Sequence, residues 1–230
     1  MNKRVIKGIL NSNYLGKLIL RLYRQWNLKL YSRKLQKPFL RNGYNIFKDF
    51  CSTLNKHEIQ FWLCYGTLLG YVRENGIIKH DCDFDIGIWY SDYSKELENI
   101  LILAGYKLIR EFKSVSSYEA FEQTYSKDGV QIDIFYHHSD SNKSWSHIFY
   151  REEDDDLESG IYRIRKLDYP SAPLEKTLFL GCDVYVFKNK EIYLEEIYGT
   201  DWRIPNPKFD WKKGPKNNCT VKGVYGKKTI

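Results

Sequence analysis

Residues 66–88 read GTLLGYVRENGIIKHDCDFDIGI, and they hold most of what the sequence says about this chain. Asp81, Asp83 and Asp85 alternate there, with Phe84, Ile86 and Ile88 in the other register. Side chains two apart on a strand share a face. Asp83 and Asp85 therefore point one way, and the three apolar residues point the other way, into a core. Alternating acids also suit the wet face of an edge strand. These sit among strongly apolar neighbours, as in a central strand, where like charges on one face repel unless a cation lies between them. Carboxylates are hard oxygen ligands suited to Mg2+ or Mn2+, ions that also take phosphate oxygens. The pattern predicts a metal site at Asp83 and Asp85, with Asp81 beside it.

Just upstream, QFWLCY (60–65) reads as a short buried strand, broken where Gly66-Thr67 opens a helix. A glycine at such a turn lets backbone N–H groups approach a phosphate, and a helix N-terminus favours anions. The Thr67 hydroxyl either donates to the same phosphate or caps the helix. A metal-plus-base site needs a third carboxylate. Asp133, in VQIDIF (130–135), is the candidate, because an unpaired acid in an apolar strand is expensive to bury. The bland alternative is a strand-end acid paired with a lysine. Arg73, Lys79 and His80 offer positive charge to a donor pyrophosphate, although each alone reads as an ordinary surface residue.

Working outward, Gly43 to about His57 is expected as a helix with Ile46, Phe47, Phe50 and Leu54 buried, and Ser91–Ala104 as another, stopped by Gly105. Strands are expected at 84–89, 120–125, 130–136, 162–167 and 183–187, with a turn at Lys127-Asp128-Gly129, and a short helix at 191–198. The acidic run 152–156 lacks apolar spacing and reads as a solvated loop. Helices and strands mix without strict alternation. That favours an α+β fold, a mixed sheet flanked by helices, over a doubly wound one.

The net charge of +7 is unevenly spread. Residues 1–48 carry 12 Lys and Arg and no acid, leaving 24 basic against 29 acidic residues in the remainder. The organisation expected is a basic arm (1–42), a catalytic domain (43–212) and a basic C-terminal tail (213–230). In the arm, Leu15, Leu18, Ile19, Leu22 and Trp26 follow one helix face, with Lys17, Arg21 and Gln25 on the other side. Such a helix either packs on the body or lies on an anionic membrane surface. A nucleic-acid partner is disfavoured, since the acidic body repels a polyanion. Five cysteines without a CxxC pair suit a reduced compartment, and the sequons at Asn142 and Asn218 matter only in a secreted protein. Val5-Ile6 and Ile9-Leu10 make no continuous apolar signal, so a cytoplasmic location, peripheral on the inner membrane face, is expected.

Gly66-Thr-Leu-Leu-Gly70, Arg73, Ile77-Ile78 and Asp81-Cys-Asp-Phe-Asp-Ile86 resemble the LicD/fukutin family of phospho-group transferases. The resemblance continues in Ile132-Asp-Ile-Phe135, in Gly181 through Tyr193-Leu194, in Tyr198-Gly199 and Asp201-Trp202 with Pro205, and in Asp210-Trp211. It covers roughly Asn45 to Trp211 and leaves the arm unexplained. It implies a nucleotidyltransferase-type fold and a CDP-activated alcohol as donor, either CDP-choline or CDP-ribitol. It further implies phosphocholine or ribitol phosphate passed to a glycan in surface-polymer biosynthesis, with Asp83, Asp85 and Asp133 at the metal. Cys82 stands where many bacterial members have another Asp, and Lys79-His80 replaces a frequent Pro-Trp. Position 82 is expected to point away from the ligands. The rival readings are a transferase that leaves a nucleotide on protein, RNA or a small molecule, and a non-catalytic membrane-associated binding protein.

Overall fold

A computed structural model describes residues 14–152, 155, 159–206, 209, 211 and 218–230. Its first element, helix α1, runs unbroken over Tyr14–Lys56, 43 residues, with Pro38 inside it. The expected division between an arm and a helix beginning at Gly43 is therefore absent. Pro38 and Gly43 read as breakers in the sequence, yet both are absorbed by packing. Pro38 lies over the turn at Gly129, where a Cβ would meet the proline at 3.0 Å, and Gly43 packs in ordinary contact with Phe39 and Phe84. The C-terminal half of α1 buries Phe39, Ile46, Phe47, Phe50 and Leu54. The Asn42 side-chain amide donates to the Asp128 carbonyl, and Lys127 pairs with Asp49 at 2.7 Å. At the other end Leu15, Leu18, Ile19, Leu22 and Trp26 are all exposed, so this stripe does not pack on the body.

After α1 the order is β1 (Trp62–Leu63), α2 (Tyr65–Glu74), β2 (Asp83–Trp89), a short 3-10 turn (Tyr90–Asp92) and α3 (Lys95–Leu103). There follow β3 (Lys107–Ser114), β4 (Phe121–Lys127), β5 (Val130–Ser139), β6 (Lys143–Tyr150), β7 (Ile161–Pro170), β8 (Leu174–Phe179) and β9 (Cys182–Phe187). Helix α4 (Lys190–Tyr198) and strand β10 (Asn218–Lys228) complete the chain. The fold is α+β with one mixed sheet, as expected. β2 pairs with β5 and β1 with β9 in parallel, while the remaining pairings are antiparallel.

The sheet order is β4-β3-β10-β7-β6-β5-β2-β1-β9-β8, with a further β4–β5 pairing. That extra pairing closes six strands, β3 to β7 and β10, into a ring, and β5 links the ring to the open part of the sheet. The segment 213–230, expected as a tail, thus supplies β10, which lies between β3 and β7 and closes the ring. β3, β6 and β8 are also strands that the sequence pattern leaves undrawn. Of the acidic run, Glu152 and Asp155 are described, and Asp155 pairs with Arg163 at 2.7 Å.

The core sits between α1, α2, α4 and the open sheet. Phe84 meets Phe39 and Phe47 with ring centroids 4.8 and 4.6 Å apart. Trp62 lies directly over Gly87, where any Cβ would fall 2.2 Å from the indole nitrogen. This contact fixes how β1 and β2 lie together.

Candidate active site

The β1–α2 junction builds the floor of the site. Tyr65 adopts φ +42°, a left-handed conformation that a bulky residue seldom takes. Its buried ring packs on Phe135, and its hydroxyl hydrogen-bonds Ser146, so neighbours hold the backbone in place. The strained turn sets the next residue, Gly66, against β2. The Gly66 N–H donates to Asp85 Oδ2 at 2.8 Å, and a Cβ at Gly66 would meet that oxygen at 3.0 Å and Asp81 Oδ2 at 3.4 Å. Glycine is needed here for close approach.

Thr67 is buried, and its Oγ1 accepts from the Asp85 N–H at 2.7 Å. The residue preceding the helix, Cys64, makes no side-chain cap. Both parts of the turn expected to grip phosphate are thus engaged with Asp85. Thr67 lies in the first turn of α2, and its hydroxyl meets the backbone of β2.

Asp81, Asp83, Asp85 and Asp133 line one cavity of about 1090 Å³. β2 and β5 run side by side with Asp85 opposite Asp133, so two register-matched acids face the same space. Phe84, Ile86 and Ile88 are buried on the other face, in the phase the alternation predicts. Arg73 and His80 also line the cavity, whereas Lys79 is exposed and its carbonyl accepts from the Gln36 amide. Arg73 donates to the Trp202 carbonyl at 3.4 Å and pairs with Glu74, which ties α2 to the 199–206 segment. Cys82 does not line the cavity.

Burial dominates the electrostatics. It pushes Asp81 up to about 6, with His80 and Arg73 opposing. Burial, then repulsion from Asp133 and Asp81, pushes Asp83 up to about 7. Asp85 is held well above the carboxylate range by burial and then by its acidic neighbours, against the Gly66 N–H. Such crowding favours protons or a cation.

Two residues of the site carry no mark in the 66–88 stretch. The Arg110 guanidinium, from β3, donates to both Asp133 oxygens at 3.0 and 3.2 Å. Glu122, from β4, is buried on the ring's inner wall, and burial followed by Asp133 repulsion raises it to about 8. Arg110 shares its strand face with Leu108 and Phe112, opposite Lys107 and Lys113, a period-two signal that would have exposed β3 and its inward-facing cation. Glu122 stands two residues before Thr124, which pairs with Asp133, and so faces the same wall.

The donor set is chemically that of a hard divalent ion: three crowded carboxylates, two of them free of any cation partner in the geometry above. Among the described residues no group of three or more His, Cys, Asp or Glu is already arranged as a ligand set. Arg110 engages both Asp133 oxygens, which leaves Asp83 and Asp85 as the carboxylates whose chemistry suits such an ion.

A family model described as LicD/FKTN/FKRP, nucleotidyltransferase domain, matches residues 58–189. The chain belongs to this family. The matched residues contain the Gly66 turn, the three alternating acids, Asp133, Arg110 and Glu122. Ribitol-5-phosphate transferase FKTN of Homo sapiens is 29% identical over 180 residues, covering 78% of this chain and 37% of the human protein. The Mus musculus transferase is 31% identical over 185 residues, covering 78% of this chain and 37% of the mouse protein. An uncharacterised protein of Rickettsia prowazekii is 30% identical over 172 residues, covering 71% of this chain and 59% of its own length. The match to these FKTN proteins spans little more than a third of their length. Of the resembling segments, Tyr198, Asp201, Trp202, Pro205 and Trp211 line the cavity beside the acids, while Asp210 lies outside the described residues.

Proposed function

We propose that this LicD/FKTN/FKRP-family chain transfers a phosphorylated alcohol from a CDP-activated donor to a hydroxyl of a glycan, with Mg2+ or Mn2+. Ribitol phosphate is the first choice of alcohol, since the FKTN relatives carry that activity in their names. Phosphocholine and other polyol phosphates are the alternatives. The observation that carries the reading is the placement of Asp83 and Asp85 beside Asp133 on neighbouring parallel strands at the floor of a large cavity.

A divalent ion at Asp83 and Asp85 would neutralise pyrophosphate charge and stabilise the departing CMP. Arg73 and His80, at the cavity wall, bind the donor phosphates. Trp202, Phe209 and Trp211 offer rings against which the cytosine stacks. The acceptor oxygen forms its bond to the phosphorus bearing the alcohol as the bond from that phosphorus to CMP breaks. Asp81 takes the acceptor's proton at its carboxylate. It is favoured over Asp133 as base because Asp133 gives both oxygens to Arg110 and because burial poises Asp81 near 6. Positioning and charge neutralisation supply most of the acceleration. Five free cysteines suit the reducing cytoplasm in which this reading places the reaction.

The test is incubation with CDP-ribitol, CDP-choline, CDP-glycerol, CTP and ATP, with and without Mg2+, following CMP release and the fate of label. Metal-dependent CMP release from a CDP-alcohol, with labelled alcohol phosphate on the acceptor, is the expected result. Labelled nucleotide on the acceptor would instead make the chain a nucleotidyltransferase.

A further inference from the structure

The two halves of α1 have opposite surroundings, and nothing in the transfer reaction uses the first. The second half seals Phe39, Ile46, Phe47, Phe50 and Leu54 into the core, although Leu40 and Tyr44 stay exposed, whereas Leu15, Leu22 and Trp26 are 65%, 56% and 59% exposed. Leu18, Ile19, Tyr23 and Leu30 are exposed as well. At 3.6 residues per turn these positions share one side of the helix. A contiguous apolar face of this size is unusual on a surface that touches only water.

The same side changes character along the axis. Lys34 follows Leu30 at i+4, Arg33 follows Trp26 at i+7, and Lys37 and Arg41 follow Leu30 at i+7 and i+11. All four cations are exposed. Helix α1 carries no acid before Asp49, so the face has no carboxylate of its own helix beside it. An apolar stretch continuing into a cationic stretch on one helix side is matched by a surface that has an apolar interior and an anionic rim. No helix of the described residues is long and apolar enough to cross a membrane. A one-sided stripe of this kind lies in an interface.

We infer that the N-terminal half of α1 docks on an anionic lipid bilayer. Leu15, Leu18, Ile19, Leu22 and Leu30 enter the headgroup–acyl boundary, Trp26 sits at that boundary, and Arg33, Lys34, Lys37 and Arg41 meet lipid phosphates. A second copy of the chain fits the face less well, because pairing two such helices brings eight of these cations together without an acid between them. α1 is one continuous helix, about 65 Å long at 1.5 Å per residue, and its second half is anchored in the core. Docking the first half therefore fixes the catalytic body relative to the bilayer. The inference is independent of the reaction proposed above.

Flotation of the full-length chain with phosphatidylcholine vesicles, with and without phosphatidylglycerol, tests it. The chain is expected to float with anionic vesicles, to stay behind with neutral ones, and to come off as salt rises. Leu22→Glu/Trp26→Glu should abolish flotation. Lys34→Gln/Lys37→Gln should weaken it about 25-fold, each charge near the surface contributing about fivefold. All four positions are exposed, so both variants should keep the wild-type circular dichroism spectrum and melting temperature. Equal flotation with neutral vesicles would overturn the inference, as would flotation unchanged in both variants. Concentration-dependent self-association without vesicle binding, abolished by Leu22→Glu/Trp26→Glu, would also overturn it and make this face a contact between copies.

Discussion

The two faces of β2 do opposite things with the same backbone. On one, Phe84, Ile86 and Ile88 are buried against α1 and the open sheet, where each contributes to stability in proportion to the apolar area it removes from water. On the other, Asp83 and Asp85 crowd Asp81 and Asp133, and every one of these acids has its proton affinity raised by burial. The first face holds the fold together. The second works against it unless protons or a cation intervene. Residues that break local rules for stability mark where chemistry takes place.

The largest effects are expected on the acid face. Asp85→Asn or Asp83→Asn should lower turnover by on the order of 10³-fold or more, as loss of a principal electrostatic contact does. The metal-free fold should be unharmed or should melt about 2–4 °C higher, the shift of ~1 kcal/mol in a chain of this size. Either variant retaining near-wild-type turnover would refute the site. From the core side, Ile86→Ala should cost about 2–5 kcal/mol of stability through the cavity it leaves. Its residual folded fraction should still turn over, measured as activity per folded molecule below the melting transition.

In Gly66→Ala the new methyl would press on Asp85 Oδ2 at 3.0 Å. Turnover should fall about tenfold, with little change in melting temperature, because the displaced group belongs to the acid face.

Proton linkage gives a gentler test. The acids have folded-state affinities raised above their unfolded values, so the stability they contribute is present at low pH. It is lost as pH rises from the unfolded carboxylate range near 4 through about 7, where Asp83 titrates. Metal-free protein should therefore melt lower at pH 8 than at pH 5.5, and Asp83→Asn should flatten that slope. A slope unchanged by the substitution would mean that other groups carry it. The smallest effect is expected at Cys82, which lies outside the cavity. Cys82→Ser should change turnover less than about threefold, the size of a single surface-like perturbation.

Much of this was legible in the sequence because β2 states its phase outright: acids at 81, 83 and 85 against apolar residues at 84, 86 and 88 fix both faces. Asp133 was legible for the same reason, as an acid in an apolar strand that turned out to lie opposite Asp85. Arg110 and Glu122 were not, since they come from ring strands whose closure depends on pairings distant in sequence, β4 with β5 and β10 with both β3 and β7. β10 itself reads VKGVYGKK over residues 221–228, with glycines that weaken any strand pattern, and one of them is required because Phe149 sits 2.2 Å from where a Cβ at Gly226 would be. Thr67 looked like a phosphate ligand because spacing gives no hint that its hydroxyl turns inward to the Asp85 N–H. Gly43 looked like the start of a separate helix, and only packing against Phe39 and Phe84 shows why α1 continues through it.

On the proposed reading, the acid face of β2 holds a divalent ion against a donor pyrophosphate. Mn2+ binding, followed by electron paramagnetic resonance in the presence of CDP, is the decisive test. Wild-type protein should bind the ion, with the free signal falling as protein is added, and Asp85→Asn should leave it free. Equal binding by both proteins, or none by either, would contradict the account.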